Sequence, residues 1–350
     1  MPSNKPNISE LGEKKLIERL LSRSHNSIPN SPFFKTFFDE FSLKSLEDDA
    51  ALLSIGDNYL VVTSDLLLEP SHFPPLMNAR EIGKKSVIVN LSDLAAMGAR
   101  PIGIIMSMGL PPDLPLEDFD SLLEGILEAC DDYDLALLGG DTNQADDITL
   151  CGTAIGIVDK NKVLMKSGAQ KGDLVAVTGD LGLAAAGLEL ILGTSISIDL
   201  NPLEKEEAIK HALRPRARVE EGLMIASSGA ATSATDITDG LLSEMGEITK
   251  ASKVGIRFYE NKLPIQPIVN KVASIFSKSS LEMAISYGED FELLLTIKKD
   301  EVKSLKNLVA IQIIGEVTDS GRIEMINKDG NTNILVSKGY EHLKIINKEK

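Results

Sequence analysis

The chain has 350 residues, 43% of them hydrophobic and 25% charged, with a net charge of −16 at neutral pH. At about 150 residues per domain, that length corresponds to roughly two domains, large enough to bury a core without disulfide staples. The acidity argues against nucleic acid and against an anionic membrane surface, both of which are bound through Lys and Arg. No apolar run reaches the ~18 residues of a membrane span.

The start, Met1-Pro2-Ser3-Asn4-Lys5, is polar and has no apolar signal core behind it. Residues 9–22 place Leu11, Leu16, Ile17, Leu20 and Leu21 on one helical face. Residues 23–35, rich in Ser, Asn and Pro, read as a mobile connection, and the stretch from Ser22 to Ser45 as a lid or a plain linker. Strand-like and helix-like runs then alternate: a strand at 59–63, a helix at 81–97 stopped by Gly98 and Pro101, a strand at 102–110, a helix at 116–132, and strands at 135–138 and 148–158. A boundary falls near Asp159-Lys160-Asn161-Lys162. Beyond it come a strand at 174–178, a helix at 181–192, further alternation, and strands at 291–297 and 309–315. The expected organisation is an N-terminal helix and mobile segment over 1–46, a first domain over 47–159 and a second α/β domain over 160–350. Cys130 and Cys151 have neither metal-ligand nor framework spacing and sit among apolar residues, so buried free thiols in a reducing cytoplasm are expected.

Five acidic clusters adjoin apolar runs: Glu47-Asp48-Asp49, Ser64-Asp65, Ser92-Asp93, Gly139-Gly140-Asp141 and Asp236-Ile237-Thr238-Asp239. Ligand sites of α/β proteins concentrate at strand ends. A carboxylate beside a core must be compensated by a cap, a basic partner or a metal ion. Taken alone, Asp239 or Thr238 reads as a helix N-cap, Asp141 as a turn residue and Asp93 as an exposed helix position. Taken together, they are hard oxygen ligands of the kind that suits Mg²⁺ shared with substrate phosphates. Such ions reverse the local charge, so an acidic site can hold a polyanion. Gly83-Lys84-Lys85-Ser86 resembles a P-loop tail, but Asn78 stands where its first glycine belongs, and 81–97 reads as one helix. Gly179-Asp180-Leu181-Gly182 precedes a helix and leaves open either a phosphate site or a plain helix start. The four histidines, His25, His72, His211 and His342, stand in unrelated contexts.

The segment Asn90-Leu91-Ser92-Asp93-Leu94-Ala95-Ala96-Met97-Gly98-Ala99 resembles the thiamine-monophosphate kinase family of the aminoimidazole-ribotide synthetase-like superfamily. So do Asp48-Asp49-Ala50-Ala51, Leu138-Gly139-Gly140-Asp141-Thr142, Ser167-Gly168-Ala169, Asp236-Ile237-Thr238-Asp239-Gly240-Leu241 and Gly288-Glu289-Asp290-Phe291-Glu292-Leu293, in order and spacing, from about Gly12 to Tyr340. The resemblance implies a two-domain α/β fold of α+β type, with mixed sheets packed by helices and a dimer-forming N-terminal domain. It implies ATP-dependent phosphorylation of thiamine monophosphate to thiamine diphosphate, in a homodimer with the site near the subunit interface. Carried over by position, Asp49, Thr63, Ser64, Asp65, Asp93, Asp141, Asp236 and Asp239 hold Mg²⁺ ions, with Asp65, Asp93, Asp141 and Asp239 at the chemistry. Gly140, Asp141, Lys166 and Thr238 face ATP, and His72, Glu289 and Tyr340 contact the thiamine substrate.

The chain departs from the family pattern at Glu47 (usually Gly), at Asn143-Gln144 (usually Thr-Arg), at Lys166 (usually Arg) and across Leu66–Ser71. Lysine keeps the charge but loses the bidentate fork. The resemblance leaves two other readings. One is a purine-pathway synthetase, which typically reads Gly-Thr-Lys-Leu where this chain has Thr63-Ser64-Asp65-Leu66. The other is a metal-binding homologue without catalysis. A selenophosphate synthetase is disfavoured because no cysteine precedes Cys130, and the carbamoylated hydrogenase-maturation relative because the chain ends without a cysteine.

Overall fold

The computed structural model describes residues 8–27, 31–193 and 200–337. The first sheet has five strands, β1 (Ala51–Ile55), β2 (Asn58–Leu68), β3 (Arg100–Leu110), β4 (Ala136–Gln144) and β5 (Thr149–Asp159). Their spatial order is β1-β2-β5-β3-β4, antiparallel except for the parallel pair β3 and β4. The second sheet has β6 (Leu174–Thr178), β7 (Ala231–Asp236), β8 (Gly255–Tyr259), β9 (Leu293–Ile297), β10 (Ile311–Thr318), β11 (Ile323–Ile326) and β12 (Thr332–Leu335). Its order is β12-β11-β8-β10-β6-β9-β7, and only β8 and β11 run parallel. Helices cover the sheets, giving the mixed α/β architecture expected from the alternating pattern.

Strand β2 shows how the pattern sets the faces. Tyr59, Val61, Thr63 and Leu67 turn inward and are buried, while Ser64, Leu66 and Leu68 face out. The inner face packs on helix Ala79–Ala96, which also touches β5 and β7. A capping box between Asn78 and Glu81 starts this helix. It is buried on almost every side, polar positions Lys85, Asn90 and Ser92 included. A side chain on Gly83 would collide with the Leu122 carbonyl at 2.0 Å, so glycine lets helix Leu116–Asp132 lie directly against it. The Gly-Lys-Lys-Ser stretch is thus helical and no phosphate loop. One continuous core runs from Leu52, Leu94 and Ile104 in the first unit to Ala176, Ile225, Leu293 and Leu295 in the second.

Several expectations need correction. Residues 23–27 extend a helix, Glu13–Ser27, and Pro32–Phe37 and Glu40–Lys44 are helical too, each capped by an oxygen side chain, Ser31 or Asp39. The described part of 22–45 is therefore neither linker nor disordered lid. Asp39 also accepts a 2.9 Å bond from the Tyr59 hydroxyl, which ties this segment to β2. Strand β4 does not stop at Leu138: it bulges there and continues through Gly139-Gly140-Asp141. Cys130 is buried, whereas Cys151 is only half-buried beside Ser64.

Candidate active site

Three carboxylates from three elements converge. Asp49 precedes β1, Asp93 lies in helix Ala79–Ala96 and Asp236 ends β7, and each offers one oxygen within 4.8 Å of the other two. Each is locally fixed. Asp93 accepts a short bond from the Thr63 hydroxyl, and Asp236 one from Ser92. Asp49 Oδ1 accepts from Thr235 Oγ1 at 3.0 Å and pairs with Lys166 Nζ at 2.7 Å. Its other oxygen, Oδ2, is buried without a hydrogen-bond partner among the described residues. A buried carboxylate oxygen left in that state is costly unless a cation can take it.

The electrostatics agree. Burial, with repulsion from Asp239, pushes Asp65 up to about 6. Burial and Asp49 push Asp236 up to about 7, against the Ser92 bond and Lys166, which pull down. Burial and Asp49 likewise raise Asp48 to about 7. Asp93 is held well above its ordinary value by burial and then by Asp65, Asp236 and Asp49. Burial pulls the Lys166 ammonium down, but Asp49, Glu244 and Asp48 outweigh it and hold it well above the ordinary lysine range. The centre is overloaded with negative charge that one lysine only partly offsets.

The sign of the resulting pH dependence follows. Asp48, Asp65 and Asp236 titrate near 7, 6 and 7 in the folded protein, against 3.8 ordinarily. Across that window the folded chain holds more protons than the unfolded one, so the cluster's contribution to stability falls as pH rises. In chelator, the urea midpoint of wild type should fall relative to Asp236→Asn between about pH 4 and about pH 7. Parallel curves for the two proteins would refute this account.

The other candidate residues divide. Thr63 and Asp65 share the inner face of β2 with the centre, and Asp65 N–H donates to Asn90 Oδ1 at 3.2 Å. Asp239 is near enough to Asp65 to raise it. Neither Thr238 nor Asp239 is the N-cap: helix Leu241–Ser252 starts from Gly240 without a side-chain cap. The Thr238 carbonyl instead accepts from Glu289 N–H at 2.8 Å. Ser64 is not brought in. Its hydroxyl points to the outer face and donates to the Gly152 carbonyl at 2.9 Å. Asp141 is not brought in either. It is exposed on edge strand β4, three strands from β2 and about 14 Å across the sheet, and accepts from Asn143 Nδ2 at 3.1 Å. Gly140 has a structural reason of its own, since a Cβ there would meet the Met106 carbonyl at 1.7 Å. His72 and Glu289 are joined through Lys85, and Tyr340 lies outside the described residues. The phosphate reading at Gly179–Gly182 is overturned: the Asp290 carboxylate occupies that helix start, accepting from Gly182 N–H at 3.0 Å.

Known proteins match the chain in sequence and in fold. The N-terminal domain of AIR synthase related proteins matches residues 47–158, and their C-terminal domain matches residues 170–328. A thiamine-monophosphate kinase of Pyrococcus abyssi is 38% identical over 318 residues, covering 91% of this chain and 96% of that protein. The chain belongs to the thiamine-monophosphate kinase family. Among solved structures, AaThiL complexed with AMPPCP and TMP superposes with a TM-score of 0.83 at 27% identity, covering 97% of this chain and 100% of that one. The thiamine-monophosphate kinase from Stenotrophomonas maltophilia gives a TM-score of 0.72 at 31% identity, covering 90% and 96%.

Two further residues border the site, Glu244 and Lys85. Glu244, on helix Leu241–Ser252, is buried and held well above its ordinary value by burial, although Lys166 pulls it down. Its signal was available, because it shares the apolar helical face of Leu241, Met245 and Ile248. Lys85 carried no such signal, since its surroundings come from residues 13 and 204 positions away.

Proposed function

We propose that the chain transfers the γ-phosphoryl group of ATP to the phosphate of thiamine monophosphate, giving thiamine diphosphate and ADP. The convergence of Asp49, Asp93 and Asp236 in a member of this family carries the reading. The acceptor needs no general base: the second pKa of a phosphate monoester is about 6, so its oxygen is largely ionised at neutral pH. What opposes the reaction is repulsion between two phosphates.

The donor set fits Mg²⁺, because the orphaned Asp49 Oδ2 and the upward-shifted carboxylates are what a hard cation would relieve. Asp49, Asp93 and Asp236, with Thr63, Asp65 and Asp239, would hold it. When bound, it screens the phosphates and polarises the transferred group. The chain's own residues supply order. Thr63 and Ser92 fix the Asp93 and Asp236 carboxylates, and Lys166 places a cation beside them where nucleotide phosphates would lie. Thr238 belongs to the nucleotide side, and His72 and Glu289 to the thiamine side.

The working form is a homodimer. Leu66, Leu68, Ile105, Leu138 and Ile157 lie exposed on the outer face of the first sheet, a patch of the kind that marks an interface. Ser64 and Asp141 lie on that same face, so a partner copy would cover them. Sedimentation should give twice the chain mass, and an Ile105→Lys variant should shift it to one. An unchanged mass in that variant would place the interface elsewhere. No described helix is long and apolar enough to cross a membrane, and a cytoplasmic setting suits the two free thiols.

Phosphorus NMR of the protein with ATP, Mg²⁺ and thiamine monophosphate tests the reaction. Thiamine diphosphate and ADP should appear in equal amounts. ATP left intact, or consumed without thiamine diphosphate, would overturn the assignment.

A further inference from the structure

The Lys85 side chain is 0% exposed, yet it carries an ammonium. Its Nζ donates to the His72 carbonyl at 2.8 Å and to Glu289 Oε1 at 2.6 Å. Withholding an ammonium from water is costly unless it is paired and hydrogen-bonded. A methionine could fill the same space without that cost, so the contribution of the ammonium lies in what it holds.

It adds a polar tie between two segments that also share the apolar cluster of Leu67, Val89, Phe291 and Phe73. His72 ends the short turn of helix Glu69–His72 after β2, and its Nδ1 accepts from Leu68 N–H at 3.0 Å. Glu289 sits in the loop before β9, with φ of 65°, a left-handed conformation that non-glycine residues hold only when their surroundings enforce it. The same loop is pressed against the metal-side loop. Glu289 N–H donates to the Thr238 carbonyl at 2.8 Å, and a Cβ on Gly288 would meet that carbonyl at 1.9 Å. Lys85 and Asp93 share helix Ala79–Ala96, eight residues apart, which is about 12 Å of rigid rise.

The geometry points to Lys85 as a positioning residue that sets the acceptor pocket, through His72 and Glu289, at a fixed distance from the carboxylate centre. This rests on the reading of His72 and Glu289 as thiamine-facing. Glu289 keeps a carboxylate oxygen beyond the one bound to Lys85, and its side chain is 40% exposed, so it can meet a cationic ring while its partner oxygen stays anchored. Lys85 does not touch the reacting atoms.

Lys85→Met, Glu289→Gln and the double variant test this in the full-length protein. Lys85→Met should raise the KM for thiamine monophosphate about tenfold, with kcat and the KM for ATP within about twofold of wild type. Glu289→Gln alone should raise that KM more than Lys85→Met does, because it loses both the ion pair and the charge that meets the ring, and the double variant should cost less than the sum of the two single changes. Amide hydrogen exchange should quicken in residues 69–73 and 286–291 of Lys85→Met, with residues 293–297 unchanged. An unchanged KM for thiamine monophosphate, losses shared equally with ATP, or unchanged exchange in both segments would overturn the inference. If Lys85→Met does not fold, Glu289→Gln carries the exchange measurement, since it removes the ion pair and keeps the shape; its KM is not used, because it also loses the charge that meets the ring. A wild type that makes no thiamine diphosphate would remove the proposed reaction, and the exchange comparison would still decide whether Lys85 fixes the two segments.

Discussion

Asp93→Asn is expected to lower kcat by at least about a thousandfold, equivalent to about 4 kcal/mol of transition-state stabilisation, while the folded protein survives. Asp93 is one of the three converging carboxylates, and asparagine offers a neutral oxygen where an anion is needed. The fold should tolerate the change because asparagine can still accept from the Thr63 hydroxyl. Metal-free Asp93→Asn should even be more stable than wild type at neutral pH, since repulsion from Asp65, Asp236 and Asp49 is removed. Turnover at saturating Mg²⁺ and denaturant midpoints in chelator check the two halves. Near-normal turnover, or a clear loss of stability, would show that Asp93 serves the fold and not the chemistry.

Lys166→Met should act in the opposite sense on the same centre. Lys166 pairs with Asp49 at 2.7 Å, with side chains only 13% and 4% exposed, so the partner left behind cannot be rehydrated. Breaking such a pair from one side costs about 3–5 kcal/mol. Asp48, Asp49 and Glu244 would all lose the attraction of this cation. Metal-free Lys166→Met should lose stability on that scale, and Mg²⁺ should restore part of it. The KM for ATP should also rise at least about tenfold, with loss of a charged contact to the nucleotide phosphates. Lys166→Arg, which restores the family's usual residue, should keep both properties. Urea titrations with and without Mg²⁺, beside ATP kinetics, read the outcome. A chelator midpoint within about 1 kcal/mol of wild type would mean that the carboxylates are neutral there and need no lysine.

The legible part of the fold was periodic. Helix Leu116–Asp132 was read end to end because Leu122, Ile126, Ala129 and Cys130 recur on one face after a proline. Strand β4 was cut short at Leu138 because Gly-Gly-Asp is also turn chemistry; what makes it a strand is pairing with β3, a neighbour supplied by topology. Strand β1 has no clear sequence signal, since Ala51–Ile55 is short and follows an acidic stretch that reads as loop. At the site, Asp49, Asp93 and Asp236 stand out as carboxylates bordering apolar runs, which the order of residues alone exposes. Ser64 and Asp141 looked equivalent to them, but a period-two register sends both to the outer face of the sheet. Lys85 lay beyond reach, because its partners are defined only once residues 72 and 289 meet.

The continuous core beneath helix Ala79–Ala96 has a mechanical consequence. Two-domain enzymes commonly close on their ligands by rotating one body against the other about a hinge, which needs a small or wet interface. Here Leu52, Leu94 and Ile104 share a single apolar interior with Leu293 and Leu295, and one helix clasps the far side through Lys85 to Glu289 and Ser92 to Asp236. Rotation would tear that interior open. The two halves should therefore move as one rigid body, and small-angle scattering should give the same radius of gyration with nucleotide and acceptor bound as without them.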